Sequence, residues 1–326
     1  MKLGSLKSKA SLDGELAIVA KDQKSFVKVT ELAPSLREAV EKWDQVSSSL
    51  EKVYSELNQG KVKNAQTMDE RLFHSCLPRT FLFADGSAFI HHIKLVRKAR
   101  NAELPETLMT VPLMYQGDSG QFLAPTEDIP QVDFAHGTDF EAEVGVITSF
   151  VPMGVTPKEA IGKIRLFCLI NDVSLRGLIP AELGQGFGFF QSKPASALSP
   201  FAITGDELMG QWKDGRIHLS LDIKLNNEFF GKPHAGAMHF NFGDLIAHAA
   251  KTRNLPAGTI VGSGTVSNED ETLGSGCLSE KRTLEQIKTG KPVTPFMKDG
   301  DQVEISMQDG LGNDLFGRIK QRVKAI

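Results

Sequence analysis

The 326-residue chain has only three cysteines, Cys76, Cys168 and Cys277, and none belongs to a CxxC pair or a Cys/His cluster. That argues against a disulfide framework or a zinc-binding motif and fits a reducing compartment. Neither sign of charge dominates: 37 Lys and Arg against 40 Asp and Glu leave a net charge of -3. Nothing here suggests a nucleic-acid partner or an anionic membrane surface. No apolar run is long enough to cross a bilayer. The start, MKLGSLKSKASLDGELAIV, has lysines but no continuous apolar segment followed by a cleavage site, so no signal peptide is expected. The expected location is the cytoplasm. Neither GxGxxG nor GxxxxGK[ST] occurs around the glycine-rich GSGTVSN, which argues against a nucleotide cradle there.

What is present reads as mainly β with some α. Short β-like pieces at Glu15–Ala20 and Ser25–Val29 precede a helical pattern over 35–58. In that pattern Leu36, Val40, Trp43, Val46, Leu50, Val53 and Leu57 recur at spacings of three and four. Asn58-Gln59-Gly60 is a plausible stop, and the polar stretch Lys61–Arg71 reads as a linker. These features predict a small N-terminal domain, 1–71, and a main domain, 72–326. The main domain is predicted to contain the strand DFEAEVGVITSF and a hairpin turned at Asn226-Asn227. A strand is expected in TIVGSGTVSN, and a strand pair turned by Gly310–Asn313 near the C-terminus. Helices are expected at Pro157–Ile164, capped by Thr156, and at Gly243–Thr252.

Side chains alternate along a strand, so Phe140, Ala142, Val144 and Val146 form one face and Glu141 and Glu143 share the other. Paired carboxylates repel each other, and a hard divalent cation with oxygen ligands is one relief. A solvated sheet face is the ordinary alternative. Leu166–Ile170 is a buried-strand run ending in Asn171-Asp172, where Asp172 could complete a three-carboxylate site or simply serve a turn.

FEAEVGVI, NDVSLR, the lysine of QSKPASALSP, VGSGTVSN and the closing DGDQVEI occur in this order. The chain resembles the fumarylacetoacetate hydrolase family from about residue 80 to the C-terminus, in the manner of its long, two-domain bacterial-type members. The resemblance implies a mixed β-sandwich roll around a metal site, a small β-containing N-terminal domain, and a homodimer. It also implies a divalent cation, Mg2+ first with Ca2+ or Mn2+ as alternatives, held by Asp85, Glu141, Glu143 and Asp172. By the same match His92 is the general base, with His91 its neighbouring competitor. Glu280 would orient the base, although Glu271 or Asp270 could be confused with it. Lys193 would be catalytic, and Tyr115, Arg176 and Thr265 would contact substrate. The implied activity is hydrolysis of a C–C bond in a small 1,3-dioxo acid. The rivals are decarboxylation or tautomerisation of an oxo-acid, hydration of a 2-oxo-alkenoate, or a non-catalytic binding protein of the same fold. The chain departs from the family pattern at Ile179, Ser196 and Ala197, and its only tyrosines are Tyr54 and Tyr115. These departures weigh against fumarylacetoacetate itself as substrate.

Overall fold

The computed structural model describes residues 1–99, 103, 104 and 106–326. An eleven-stranded sheet organises them. From one edge it runs Gln66–Thr67, Ser25–Lys28, Glu15–Val19, Lys2–Leu6, Phe201–Ile203, Ile164–Asn171, Ala142–Thr148, Ile260–Gly262, Phe83–Gly86 and Met114–Gly117. Ala197–Leu198 pairs alongside Ile164–Asn171. A five-stranded sheet is built from Glu228–Gly231, Leu221–Leu225, Gln302–Met307, Ile319–Ala325 and Ile129–Gln131.

Alternation along the central strands gives the large sheet two apolar faces. Val144, Val146, Phe167 and Leu169 share a core with Leu221, Ile223, Val303, Ile305 and Ile319 of the five-stranded sheet. Ile147, Leu166, Cys168, Ile170 and Ile260 share a second core with Leu36, Val40, Leu50 and Leu57 of the N-terminal helices. The central strand Ala142–Thr148 is therefore buried along its whole length.

The first residues join the rest of the chain through the sheet: Lys2, Leu3 and Gly4 pair antiparallel with Ile203, Ala202 and Phe201. Two residues of the stretch expected to be a linker belong to the same sheet. Gln66 and Thr67 pair with Phe26 and Ser25, and Leu6 bridges to Phe73. Exposed polar side chains suit a sheet edge as well as a loop, so composition did not separate the two.

The helix expected over 35–58 is two helices, Leu36–Glu41 and Trp43–Asn58, because Lys42 leaves helical geometry. Ser35 caps the first, its Oγ accepting from the Glu38 N–H at 3.3 Å. The predicted hairpin forms at Asn226-Asn227, both residues at positive φ (54° and 66°), as a two-residue turn between twisted strands demands. The expected Pro157–Ile164 helix ends at Ile161, with Thr156 in a capping box, and the Gly243–Thr252 helix is Phe242–Ala249. Of TIVGSGTVSN only Ile260–Gly262 is strand. Three further helices, Ile90–Ala99, Ile179–Gln185 and Leu278–Thr289, were not expected from the sequence. No described helix is long and apolar enough to cross a membrane.

Candidate active site

Neighbouring strands place three carboxylates together. Asp85 lies on Phe83–Gly86, Glu143 on Ala142–Thr148, and Asp172 follows Ile164–Asn171. Gly262 stands beside Asp85 in parallel register and beside Gly145 in antiparallel register. A Cβ at Gly262 would meet Asp85 Oδ1 at 2.2 Å and Glu143 Oε2 at 3.0 Å, so the glycine is what leaves room for the two carboxylates. One oxygen each of Asp85, Glu143 and Asp172 lie within 4.8 Å of one another, and all three residues are buried.

Both oxygens of Glu143 are buried without a hydrogen-bond partner. A buried, unpartnered carboxylate is costly unless a proton or a cation compensates it. Burial, reinforced by Asp85 and Asp172, holds the Glu143 carboxyl well above its ordinary pKa. Burial and the Asp172 charge do the same to Asp85. An all-oxygen cluster of this kind has the donor chemistry of a Mg2+ or Mn2+ site, and Asp85, Glu143 and Asp172 could hold such an ion.

Glu141 stands beside the cluster with both oxygens engaged. Oε2 accepts from Lys193 Nζ at 2.7 Å and Oε1 from Arg176 Nη2 at 2.7 Å. Burial would raise its pKa, but Lys193 and Arg176 outweigh that and hold it well below the ordinary value. A carboxylate oxygen has two lone pairs, so Glu141 can keep Lys193 and still offer a position to a cation. Asp172 accepts from Lys193 and from Tyr115 Oη (2.6 Å) on Oδ2, and from Ser196 Oγ (2.8 Å) on Oδ1. Burial opposes the charge on Lys193, yet Asp172 and Glu141 prevail and raise its pKa. The Lys193 ammonium also lies 5.1 Å from the centre of the Tyr115 ring.

The two histidines face different cavities. His92 lines a cavity of about 590 Å3 with Asp85, Tyr115, Glu141, Arg176, Lys193 and Thr265. His91 lines another, beside His234 and His239. The helices Ile90–Ala99 and Leu278–Thr289 pack together, and this brings His92 Nδ1 to 3.9 Å from Glu280 Oε2. That exceeds hydrogen-bond length. Glu280 is buried, fixed by Ser267 Oγ (2.7 Å) and the Gly276 N–H (3.2 Å). Glu271 and Asp270 are exposed, and neither lines the cavity of His92.

Asp139 carries a role that the sequence reading did not assign. This buried carboxylate pairs with Arg176 Nε at 2.9 Å and accepts the Leu278 and Ser279 N–H groups, both at 2.8 Å. It ties Arg176 to the start of the helix carrying Glu280. Arg176 lines the cavity, but Nε and Nη2 are committed to Asp139 and Glu141. Phe189 was also missed; it stacks edge-on against Tyr115 with ring centres 5.2 Å apart. The departures noted above are in place here. Ser196 holds Asp172, and buried Ile179 is part of an apolar wall with Ile93, Leu113, Met114, Leu183 and Phe189.

Residues 82–324 match the fumarylacetoacetate (FAA) hydrolase C-terminal model, and residues 1–79 match fumarylacetoacetase N-terminal domain 2. The chain belongs to the fumarylacetoacetate hydrolase family. The fumarylacetoacetase of Caenorhabditis elegans is 25% identical over 273 residues, covering 69% of this chain and 65% of that protein. The chain spans about 64% of the length of the first curated relatives it matches, from Burkholderia. Maleylpyruvate hydrolase from Sphingobium, solved with manganese and pyruvate, shares the fold at a TM-score of 0.64 and 15% identity, covering 100% of this chain and 99% of that one. The 5-carboxymethyl-2-hydroxymuconate delta-isomerase of Mycobacterium smegmatis does so at 0.60 and 15%, with the same coverage.

Proposed function

We propose that this chain is a divalent-cation-dependent hydrolase that cleaves a C–C bond in an acylpyruvate-type 1,3-dioxo acid. The observation that carries the reading is the pair of unpartnered Glu143 oxygens, buried beside Asp85 and Asp172. A bound cation would serve as a Lewis acid towards the substrate's neighbouring oxygens. Asp85, Glu143 and Asp172 would hold it, with Glu141 as a further ligand. Mg2+ is the first expectation; the manganese-bound relative supports Mn2+ equally.

The side chains supply the rest. His92 takes a proton from water through the nitrogen facing the cavity, while Glu280 supports the imidazolium that forms. The hydroxide adds to the distal ketone, and the bond from that carbon to the methylene breaks. The electron pair moves into the pyruvate portion as its enolate. Lys193, buried beside this position, balances the oxyanion. The proton taken from water returns to the methylene carbon, giving a carboxylic acid and pyruvate. Arg176 acts through Asp139 and Glu141, holding the charged wall in place. We also propose a homodimer located in the cytoplasm.

Tautomerisation or decarboxylation of an oxo-acid is the second reading, because an isomerase shares the fold and His92 is not in hydrogen-bond contact with Glu280. The test runs acylpyruvate cleavage and oxaloacetate decarboxylation side by side in His92→Ala. Replacing the general base should lower cleavage about 10^2- to 10^4-fold. Cation binding should survive, and His91→Ala should have little effect. Full cleavage in H92A would remove His92 as the base of the hydrolysis, and a wild type that decarboxylates oxaloacetate but does not cleave acylpyruvate would favour the second reading.

A further inference from the structure

The reaction described above makes no use of Cys277. This residue is fully buried and caps the helix Leu278–Thr289, its Sγ accepting from the Glu280 N–H at 3.4 Å. A donor atom each from His92, Cys277 and Glu280 lie within 4.8 Å of one another. His92 Nδ1 points into this group, is buried, and has no hydrogen-bond partner. Glu280 is already steadied by Ser267 and Gly276, as outer hydrogen bonds steady a metal-binding carboxylate.

We propose that His92, Cys277 and Glu280 form a second cation site, selective for thiophilic ions such as Zn2+ or Cd2+, whose occupation switches off the general base. The donor set separates it from the carboxylate cluster. Sulfur, imidazole nitrogen and one carboxylate suit zinc-like ions in tetrahedral geometry, whereas Asp85, Glu143 and Asp172 suit hard ions. Three protein donors leave a fourth position for water from the cavity that His92 lines. On binding, the Cys277 thiol releases its proton to solvent and coordinates as thiolate. Ligation through Nδ1 fixes the neutral imidazole with its proton on Nε2, and that nitrogen can then no longer accept a proton from water. The inhibitory part rests on the reading of His92 as base; the binding part does not.

The test is a Cd2+ titration of the full-length protein in excess Mg2+, following the ultraviolet charge-transfer absorption of a cadmium–thiolate bond. The wild type should develop the band, and Cys277→Ser should lack it. Serine keeps the helix cap, and circular dichroism verifies that the variant is folded. Glu143→Gln should keep the band, since it alters only the hard-ion cluster. His92→Gln should weaken Cd2+ binding about tenfold or more, at least the cost of losing an outer partner of a metal ligand. An equal band in C277S, no band in the wild type, or unchanged affinity in H92Q would overturn the site. Zn2+ inhibition of acylpyruvate cleavage should disappear in C277S, and full inhibition there would overturn the switch. If no acylpyruvate is cleaved at all, the hydrolase reading falls, and the Cd2+ band still decides the binding site.

Discussion

At the scale of single residues the site depends on charges that cannot all be present without compensation. Glu143→Gln removes a carboxylate from the cluster and should abolish tight Mn2+ binding, measured by calorimetry on metal-stripped protein; unchanged affinity would remove Glu143 from the site. Gly262→Ala should weaken binding as well, because its Cβ would fall 2.2 Å from Asp85 Oδ1. The pH dependence follows from Asp85 and Glu143, whose pKa values burial and neighbouring carboxylates raise well above the ordinary range. Between the ordinary and the raised values the folded cation-free protein holds more protons than the unfolded chain. Its stability therefore falls as pH rises through the raised values. A bound cation replaces those protons and cancels the loss. The increase in melting temperature caused by Mn2+ should be larger at mildly alkaline than at mildly acidic pH, as read by calorimetric scans. An increase independent of pH would contradict protonated carboxyls in the cation-free cluster.

At the scale of elements, the helix Leu278–Thr289 carries Glu280 and is anchored by Asp139. Asp139→Ala would leave the buried guanidinium of Arg176 with one partner fewer and free two N–H groups at the helix start. Removing one member of a buried ion pair typically costs about 3–5 kcal/mol. Chemical denaturation should show a loss of that order, and a change below about 1 kcal/mol would mean that the anchor is not structural. This element also shows what the sequence could and could not reveal. The strand bearing Glu143 was legible because alternation is a local property, although it begins at Ala142 and leaves Glu141 just outside it; the Asn226-Asn227 hairpin was legible because its turn chemistry is local too. The helix after Cys277 was missed because cysteine is not among the usual caps, and Glu280 looks like an ordinary first-turn acid until its burial is seen. Asp139, four residues before Glu143, gave no pattern at all. Its role depends on Arg176 and on the backbone of a helix far along the chain. The family spacing favoured His92 over its neighbour His91, and the helix Ile90–Ala99 places His92 on the cavity that Asp85 lines and His91 on another.

At the scale of the whole molecule, the N-terminal residues extend the sheet that bears the site and cover one of its faces. A fragment beginning at Met68 would lose Lys2–Leu6, Glu15–Val19 and Ser25–Lys28 and both N-terminal helices. It would bare the edge at Phe201–Ile203 and the apolar face containing Leu166, Cys168, Ile170 and Ile260. Exposed edges and apolar faces favour association, so this fragment should aggregate in light scattering. A soluble, monodisperse fragment with a cooperative melting transition would contradict that packing account. In the intact chain Asp85 clusters with Glu143 and Asp172 and also lines the cavity that His92 and Lys193 share. The most direct test is the rate of acylpyruvate cleavage as Mn2+ is returned to metal-stripped protein, in the wild type and in E143Q. We predict no cleavage without the ion, recovery with saturation in the wild type, and no recovery in E143Q at the same ion concentrations. Undiminished cleavage by the metal-stripped wild type would contradict the proposal that a cation at these carboxylates supports the reaction.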